Sequence, residues 1–164
     1  MELSETEPAE MIGNTMLRGG KTLSSAESCT GGLVGMLLTS IPGSSKWFKG
    51  GVIAYSNTVK TGVLKVSSSV IKEFGAVSRE TVLAMALGVR ELTGTDFSIS
   101  ISGIAGPGGG TPEKPVGTVW MALCGEQSVS TEKKKFTGER NVVRRKAADY
   151  LLEKLHELLE KEVK

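Results

Sequence analysis

Helical and extended segments alternate along the first part of the chain, and this order restricts the possible folds more than any other feature. The segments with apolar residues at helical spacing are residues 11–17, 32–41, 56–64, 70–74, 78–93 and 139–163. The segments with strand character are residues 21–26, 47–55, 97–102, 116–124 and 128–136. Strands separated by helices are typical of a parallel sheet that is covered by helices.

Glycine, proline and serine mark several of the predicted boundaries. Gly19–Gly20 and Gly94 follow helical segments, Pro42–Gly43 ends another, and Ser78 is a good N-cap. Residues 125–127 read as a hairpin turn between the last two strands, which introduces an antiparallel pair. The sequence therefore predicts an α/β fold, a three-layer α/β/α sandwich with a mixed, mostly parallel sheet.

The composition indicates an ordinary globular domain and excludes several function classes. The chain has 164 residues, a hydrophobic fraction of 39% and a net charge of +2, so we expect a single domain spanning residues 1–164. The small net charge and the lack of basic clusters with aromatics argue against nucleic acid as a partner. No apolar run is long enough to span a bilayer, and residues 1–10 lack the pattern of a signal peptide. We therefore expect a cytoplasmic protein without membrane attachment.

The stretch AESCTGG, residues 26–32, places Ser28, Cys29 and Thr30 between a strand and a helix. Backbone N–H groups at a helix start stabilise an oxyanion or a phosphate, and a hydroxyl there is placed either to cap or to attack. Cys29 could have a lowered pKa at a helix start, but a small buried residue is the commoner role. Local sequence alone leaves three interpretations open: a helix cap, a phosphate cradle and a nucleophile.

A nucleophilic serine needs a base, and the chain offers two kinds. The one histidine, His156, falls on or beside the charged face of the last helix, where a solvated surface position is favoured. Lys60 could act as a base if burial lowers its pKa, although a lone lysine is more often solvated. From the local residues, the surface interpretation of Lys60 is favoured.

Two further segments are candidates for ligand binding. The glycine-rich segment 102–119 leaves a strand, where ligands gather in open α/β sheets, and it matches neither the Walker A loop nor a dinucleotide fingerprint. Arg140, Arg144 and Arg145 begin the last helix and could bind a phosphate or carboxylate, or form surface ion pairs. No His, Cys, Asp or Glu group has metal-ligand spacing, so we expect no metal and no cofactor.

Taken together, these segments resemble one family, the CinA carboxy-terminal domain, which includes stand-alone nicotinamide-nucleotide amidases. The matching stretches are TLSSAESCTGG (22–32), GSSKWFKGGVIAYSNTVK (43–60), GAVSRET (75–81), SISGIAGPGGGTPEKPVGTVW (100–120) and FTGERNVVRRKA (136–147). The resemblance covers nearly the whole chain after the first helix. Larger members carry an additional nucleotide-processing domain in front, and we expect this chain to lack that domain's activity.

The resemblance implies hydrolysis of the carboxamide of nicotinamide mononucleotide, giving nicotinate mononucleotide and ammonia, in pyridine-nucleotide salvage. It implies Ser28 as the nucleophile, Lys60 as its base and the Tyr55 hydroxyl as a support for proton transfer. This overturns the surface interpretation of Lys60.

The same resemblance implies that a small-molecule nucleotide is the binding partner. The implied substrate-binding residues are Thr30, Gly31 and Gly32 as oxyanion donors, Ser102, Gly106 and Gly108 around the nucleotide, and Arg144 or Arg145 at its phosphate. An alternative from another class is a non-catalytic nucleotide-binding or regulatory module associated with competence or DNA damage. The strand from Gly51 and the exposed face of the last helix predict a homo-oligomer.

Overall fold

A computed structural model describes residues 6–164 of the chain. The helices within this range are α1 (Glu7–Gly19), α2 (Leu33–Thr39), α3 (Asn57–Gly62), α4 (Ser68–Phe74), α5 (Arg79–Thr93) and α6 (Arg140–Glu162). The strands are β1 (Leu23–Glu27), β2 (Phe48–Ile53), β3 (Phe97–Gly103), β4 (Thr118–Cys124) and β5 (Val129–Lys135). Every predicted helix and strand is present, with boundaries that differ by a few residues.

Within residues 6–164, the strands form one sheet in the order β2-β1-β3-β4-β5. Strand β1 pairs in parallel with β2 and with β3, whereas β4 runs antiparallel to both β3 and β5. Strand β5 consequently points the same way as β1, β2 and β3. The sheet is therefore mixed, and most of its strands share one direction, as predicted.

The two faces of the sheet differ in side-chain size. On one face, large apolar residues such as Phe97, Ile99 and Ile101 form the main core with α1, α2 and α6. On the other face, α5 packs against small residues, and the hydroxyls of Ser98 and Ser100 donate to the backbone carbonyls of Ala86 and Val82 in α5. The alternation in residues 97–102 thus predicts the strand correctly, but its polar positions are buried beneath a helix.

The predicted boundary signals have clear structural counterparts. Gly20 and Gly94 adopt left-handed conformations at the ends of α1 and α5, and Ser78 accepts a hydrogen bond from the amide of Thr81 at the start of α5. The register between β1 and β2 shifts next to Lys49, directly before the glycine pair of β2.

The parallel strands bring several loops to one edge of the sheet. Ser28 follows the carboxyl end of β1, Tyr55 comes shortly after β2, and the glycine-rich segment follows β3. Carboxyl ends of parallel strands lie at the same edge, where ligands bind in open α/β sheets. This edge holds the candidate site.

Candidate active site

Ser28 lies in a tight turn between β1 and α2. Its amide donates to the carbonyl of Ile101 at 3.0 Å, which ties the turn to β3. Gly31 and Gly32 have φ angles of 56° and 103°, which side chains other than glycine rarely adopt. The glycine pair therefore lets the chain reverse abruptly from the strand into the helix and leaves Ser28 at the sheet edge.

Lys60 reaches Ser28 from α3, which begins soon after β2. The hydroxyl of Ser56 caps this helix by accepting from the amide of Val59. The Lys60 side chain is 1% exposed, and its Nζ lies 3.1 Å from Oγ of Ser28. The same Nζ lies 2.8 Å from the carbonyl oxygen of Ala54 and 3.3 Å from that of Tyr55.

The surroundings of Lys60 favour its neutral form. Burial lowers the pKa of Lys60 from its ordinary value of 10.5, because the charged ammonium loses solvation. Within residues 6–164, its hydrogen-bond acceptors are two carbonyls and a hydroxyl, and none is a carboxylate. A neutral amine has two N–H groups and one lone pair, so the carbonyls can take both N–H groups while the lone pair faces Ser28.

Ser28 opens into a cavity of about 330 Å³ at the sheet edge. The lining residues are Ser28, Cys29, Tyr55, Gly103, Ile104, Ala105, Gly106, Gly108, Gly109 and Arg140. A second cavity of about 590 Å³ shares Ala105 and Arg140 with the first and extends along the start of α6. The two cavities together offer room for a ligand with a reactive group at Ser28 and a second part beyond Arg140.

Arg140 connects two sides of the smaller cavity. Its guanidinium donates to the carbonyl of Gly106 at 2.9 Å and to the hydroxyl of Tyr55 at 3.0 Å. The Tyr55 side chain is 59% exposed, and its hydroxyl pairs with Arg140 and not with Ser28 or Lys60. The predicted support of proton transfer by this hydroxyl is therefore revised: Tyr55 contacts Lys60 through its backbone carbonyl.

The oxyanion donors predicted at Thr30, Gly31 and Gly32 are also revised. The Thr30 hydroxyl and the Gly32 amide both donate to Oε1 of Glu27, at 2.6 and 3.2 Å. The amide of Gly31 donates to the carbonyl of Ser28 at 3.0 Å. These groups are occupied inside the turn, and none of the three residues lines either cavity among residues 6–164.

The predicted phosphate contacts of Arg144 and Arg145 are revised as well. Arg144 donates to the carbonyls of Cys29 and Thr30, so it holds the turn from behind. Arg145 pairs with both carboxylate oxygens of Asp149 one helical turn further along α6. The arginine that reaches the cavity is Arg140.

The predicted residues in and next to the glycine-rich segment differ in whether they line the cavity. Gly106 and Gly108 line the smaller cavity, as the predicted role requires. Ser102 is buried at the end of β3, opposite Trp120 of β4, and lies outside the lining.

Cys29 lines the cavity beside Ser28 but is poorly suited to act as a nucleophile. Burial raises the pKa of its thiol to about 12, so the thiolate is scarce at neutral pH. Cys29 therefore lies beside Ser28 without a reactive thiolate of its own. The part of the chain from residue 6 onward contains no cluster of three metal-ligating side chains.

Sequence reasoning missed Glu27, and it named Arg140 as one of three candidate anion-binding arginines without choosing it for the site. A signal existed for each. An acidic residue directly before a glycine-bearing helix start is suited to bind helix amides. Arg140 and Arg144 are four residues apart and share a helix face, whereas Arg145 is rotated away from it.

No described helix is both long and apolar enough to cross a membrane.

Comparison with known proteins identifies relatives along most of the chain. The family model described as the CinA C-terminal domain matches residues 5–159. A nicotinamide-nucleotide amidohydrolase PncC from Enterobacter agglomerans is 48% identical over 143 residues, which cover 87% of each protein. A CinA-like protein from Geotalea uraniireducens is 50% identical over 88% of this chain. This chain spans about a third of the length of that protein and of several other curated relatives.

Solved structures have the same fold. The competence damage-inducible protein A from Klebsiella pneumoniae superposes with a TM-score of 0.94 at 32% identity, covering 98% of this chain and 99% of that one. The competence/damage inducible protein CihA from Agrobacterium tumefaciens superposes with a TM-score of 0.92 at 37% identity, with the same coverage.

Proposed function

This chain belongs to the CinA C-terminal domain family, and on that premise we propose that it is an amidohydrolase. Its proposed reaction converts nicotinamide mononucleotide and water to nicotinate mononucleotide and ammonia, within pyridine-nucleotide salvage. The observation that carries the proposal is the 3.1 Å approach of Lys60 Nζ to Ser28 Oγ at the wall of a cavity. The relative named as a nicotinamide-nucleotide amidohydrolase supports the choice of substrate.

In the proposed acylation step, Ser28 Oγ attacks the carboxamide carbon while its proton passes to Nζ of Lys60. The tetrahedral intermediate collapses by breaking the C–N bond, and Lys60 returns the proton to the departing nitrogen, which leaves as ammonia. The product on the enzyme is an ester of Ser28. A neutral, buried amine suits this exchange because it can accept a proton and release it within one step.

In the second step, water attacks the ester carbon and gives a proton to Lys60. The C–Oγ bond then breaks, Lys60 returns the proton to Ser28 Oγ, and nicotinate mononucleotide leaves. Both steps use the same short path between Nζ and Oγ, so the chemistry needs no histidine. His156 lies on α6 and lines neither cavity within residues 6–164.

The developing oxyanion needs a donor, and the amide of Cys29 is the candidate that remains after the revision above. Cys29 follows the proposed nucleophile directly and lines the same cavity. The backbone N–H of the residue after the nucleophile is one of the oxyanion donors in hydrolases with a strand–turn–helix nucleophile. One donor of this kind contributes about 10²–10³ in kcat.

For the rest of the nucleotide, we propose that Arg140 binds the phosphate and that the glycine-rich segment surrounds the ribose. Arg140 stands between the two cavities, and an arginine guanidinium forms bidentate contacts with phosphate. To do so it would exchange its contacts with Gly106 and Tyr55 for contacts with the ligand.

The test is release of ammonia and nicotinate mononucleotide by the purified protein, compared among wild type, Ser28→Ala and Lys60→Met. We expect turnover by the wild type and a loss of about 10²-fold or more in each variant. Lys72→Met, at an exposed position of α4, is the matched lysine control and is expected to behave as wild type.

Each contrary result has a definite meaning. An inactive wild type that still binds the nucleotide in calorimetry would favour the non-catalytic module over the amidohydrolase. Full activity in Ser28→Ala would disprove the nucleophile assignment.

A further inference from the structure

The turn that carries Ser28 is stabilised by two charged side chains, one bonded to backbone N–H groups and the other to backbone carbonyls. Glu27 accepts hydrogen bonds from N–H groups of the turn and the first turn of α2, and Arg144 donates to carbonyls of the same turn. Neither side chain lines the two cavities at the site within residues 6–164. Their contacts are with the segment that directly follows the proposed nucleophile, from Cys29 to Gly35.

The Glu27 carboxylate is buried, with the residue 3% exposed, yet its hydrogen-bonding capacity is well used. Oε1 accepts from the Thr30 hydroxyl at 2.6 Å, from the Gly32 amide at 3.2 Å and from the Val34 amide at 2.9 Å. Oε2 accepts from the Gly35 amide at 3.0 Å. The positive end of α2 is therefore neutralised inside the protein, so this helix start does not serve as the phosphate cradle.

Arg144 binds the backbone carbonyls of the same turn. Its Nε lies 3.0 Å from the carbonyl oxygen of Cys29, and one terminal nitrogen lies 2.9 Å from that of Thr30. The other terminal nitrogen donates to Asn141 Oδ1 at 2.9 Å, which fixes the guanidinium plane. A Cβ on Gly31 would lie 3.3 Å from the guanidinium, so a glycine at this position permits the close approach.

We infer that Glu27 and Arg144 are positioning residues that keep Ser28 Oγ within hydrogen-bond reach of Lys60 Nζ; this inference rests on the proposed function. A turn containing two glycines has little intrinsic preference for one conformation, so its geometry depends on these contacts. Proton transfer needs heavy atoms about 2.6–3.2 Å apart, and a displacement of about 1 Å can cost 10²-fold in rate.

For Arg144, the adjacent Arg145 is the matched control, because it pairs with Asp149. We expect Arg144→Ala to lower kcat by about 10- to 100-fold with KM changed by less than about threefold. Arg144→Lys should not restore kcat, because one ammonium cannot reproduce the planar fork that meets two carbonyls. Arg145→Ala should stay within about twofold of wild type. A rise in KM at constant kcat for Arg144→Ala would overturn the inference, since it would show a substrate contact.

For Glu27, the informative variant is Glu27→Gln, which keeps the shape but presents an NH₂ group toward N–H donors. We expect a similar fall in kcat and faster hydrogen–deuterium exchange at the amides of Gly32, Val34 and Gly35. Thr30→Val removes one of the four donors and should give a smaller fall in kcat. Unchanged exchange in Glu27→Gln would overturn the inference.

The readouts separate a failure of this inference from a failure of the proposed function. Labelling of Ser28 by phenylmethylsulfonyl fluoride, followed by mass spectrometry, reports the reactivity of the hydroxyl without depending on the substrate. Slower labelling in Arg144→Ala and Glu27→Gln, with an inactive wild type on nicotinamide mononucleotide, would retain the positioning role and reject the substrate. An active wild type whose two variants keep kcat and labelling within twofold would reject the positioning role alone. A wild type that neither turns over nor labels would reject both.

Discussion

At the scale of single residues, Lys60 combines complete burial with neutral hydrogen-bond partners. The carbonyls of Ala54 and Tyr55 orient the amine without stabilising its charge as strongly as a carboxylate would. The charge interaction with Cys29 raises the pKa of Lys60, and burial, the larger effect, lowers it. A buried lysine with these partners fits the proposed role of accepting a proton from Ser28.

The first prediction concerns pH. Because the neutral amine is the reactive form in the proposed mechanism, kcat/KM should rise with pH through the lowered pKa of Lys60 and level off below 10.5. Below that pKa, each pH unit should lower kcat/KM about tenfold, since the lysine is then protonated. Chromatographic measurement of nicotinate mononucleotide avoids a pH-dependent coupling enzyme. A rate that falls as the pH rises from 6 to 9 would contradict lysine as the base.

The second prediction concerns the contact between Arg140 and Tyr55. Arg140→Ala should raise KM about 10-fold or more with a smaller change in kcat, because the lost contact is to the phosphate. Tyr55→Phe should change KM only modestly and leave kcat within about threefold, because its hydroxyl contacts Arg140. Steady-state kinetics of both single variants and the double variant test this. A large loss of kcat in Tyr55→Phe alone would instead support the original role in proton transfer.

The site could be predicted only partly from individual residues. Ser28 and Lys60 came from the resemblance, while local sequence favoured a surface position for Lys60. Its side chain meets Ser28, 32 residues away in sequence, and no local pattern contains this tertiary contact. The choice among Arg140, Arg144 and Arg145 depends on the rotational position of α6 relative to the sheet, which the sequence does not specify.

At the scale of elements, α5 approaches the sheet and the preceding chain very closely. Ser98 and Ser100 are small enough to let α5 pack on β3, and they donate hydrogen bonds to it. A Cβ on Gly88 would lie 2.1 Å from the carbonyl oxygen of Leu64, which comes just after α3. The position of α5 therefore supports the segment that carries Lys60.

The third prediction follows from the close packing of Gly88 against the carbonyl of Leu64. Gly88→Ala should destabilise the fold by about 1–3 kcal/mol, because a backbone carbonyl would have to move. Gly62→Ala is the matched control in α3, where an added Cβ meets no atom within 4 Å. That control should be neutral or stabilising by up to about 1 kcal/mol. Urea unfolding monitored by circular dichroism distinguishes them, and equal midpoints for the two variants would refute the steric argument.

The regular elements were predictable because their periodicity and end signals agree, as in α5 with Ser78 and Gly94. The glycine-rich segment was not predictable beyond its location. Its course depends on distant contacts, such as the 2.6 Å hydrogen bond from Lys114 Nζ to the carbonyl of Phe74. Contacts of this kind join parts of the chain that are remote in sequence.

At the scale of the whole molecule, the order of the strands determines where the site lies. Placing β1 between β2 and β3 brings Ser28, Lys60 and the glycine-rich segment to one edge. The mixed α/β class was predictable from the order of elements, whereas the strand order was not. That order depends on which strands pair through their backbones, and no local pattern specifies the partner of a strand.

The fourth prediction concerns association, which we propose occurs through β2. This strand lies at an edge of the sheet, and Ile53 at its end is 54% exposed. Ile53→Lys should convert a homo-oligomer to a monomer in sedimentation velocity, because a charge would be buried in the contact. Leu92→Lys, at a comparably exposed position of α5, should leave the assembly intact. A wild-type monomer at high concentration would refute the proposal.

The opposite edge of the sheet has a different character. Strand β5 ends in Lys133, Lys134 and Lys135, all exposed, and positive charge along an edge opposes pairing with another strand. A two-fold contact through β2 uses that edge on both copies and leaves only lysine-bearing edges outward. Assembly by strand addition then terminates after one step, so the same sheet that can join a second copy has no edge from which a fibre could grow.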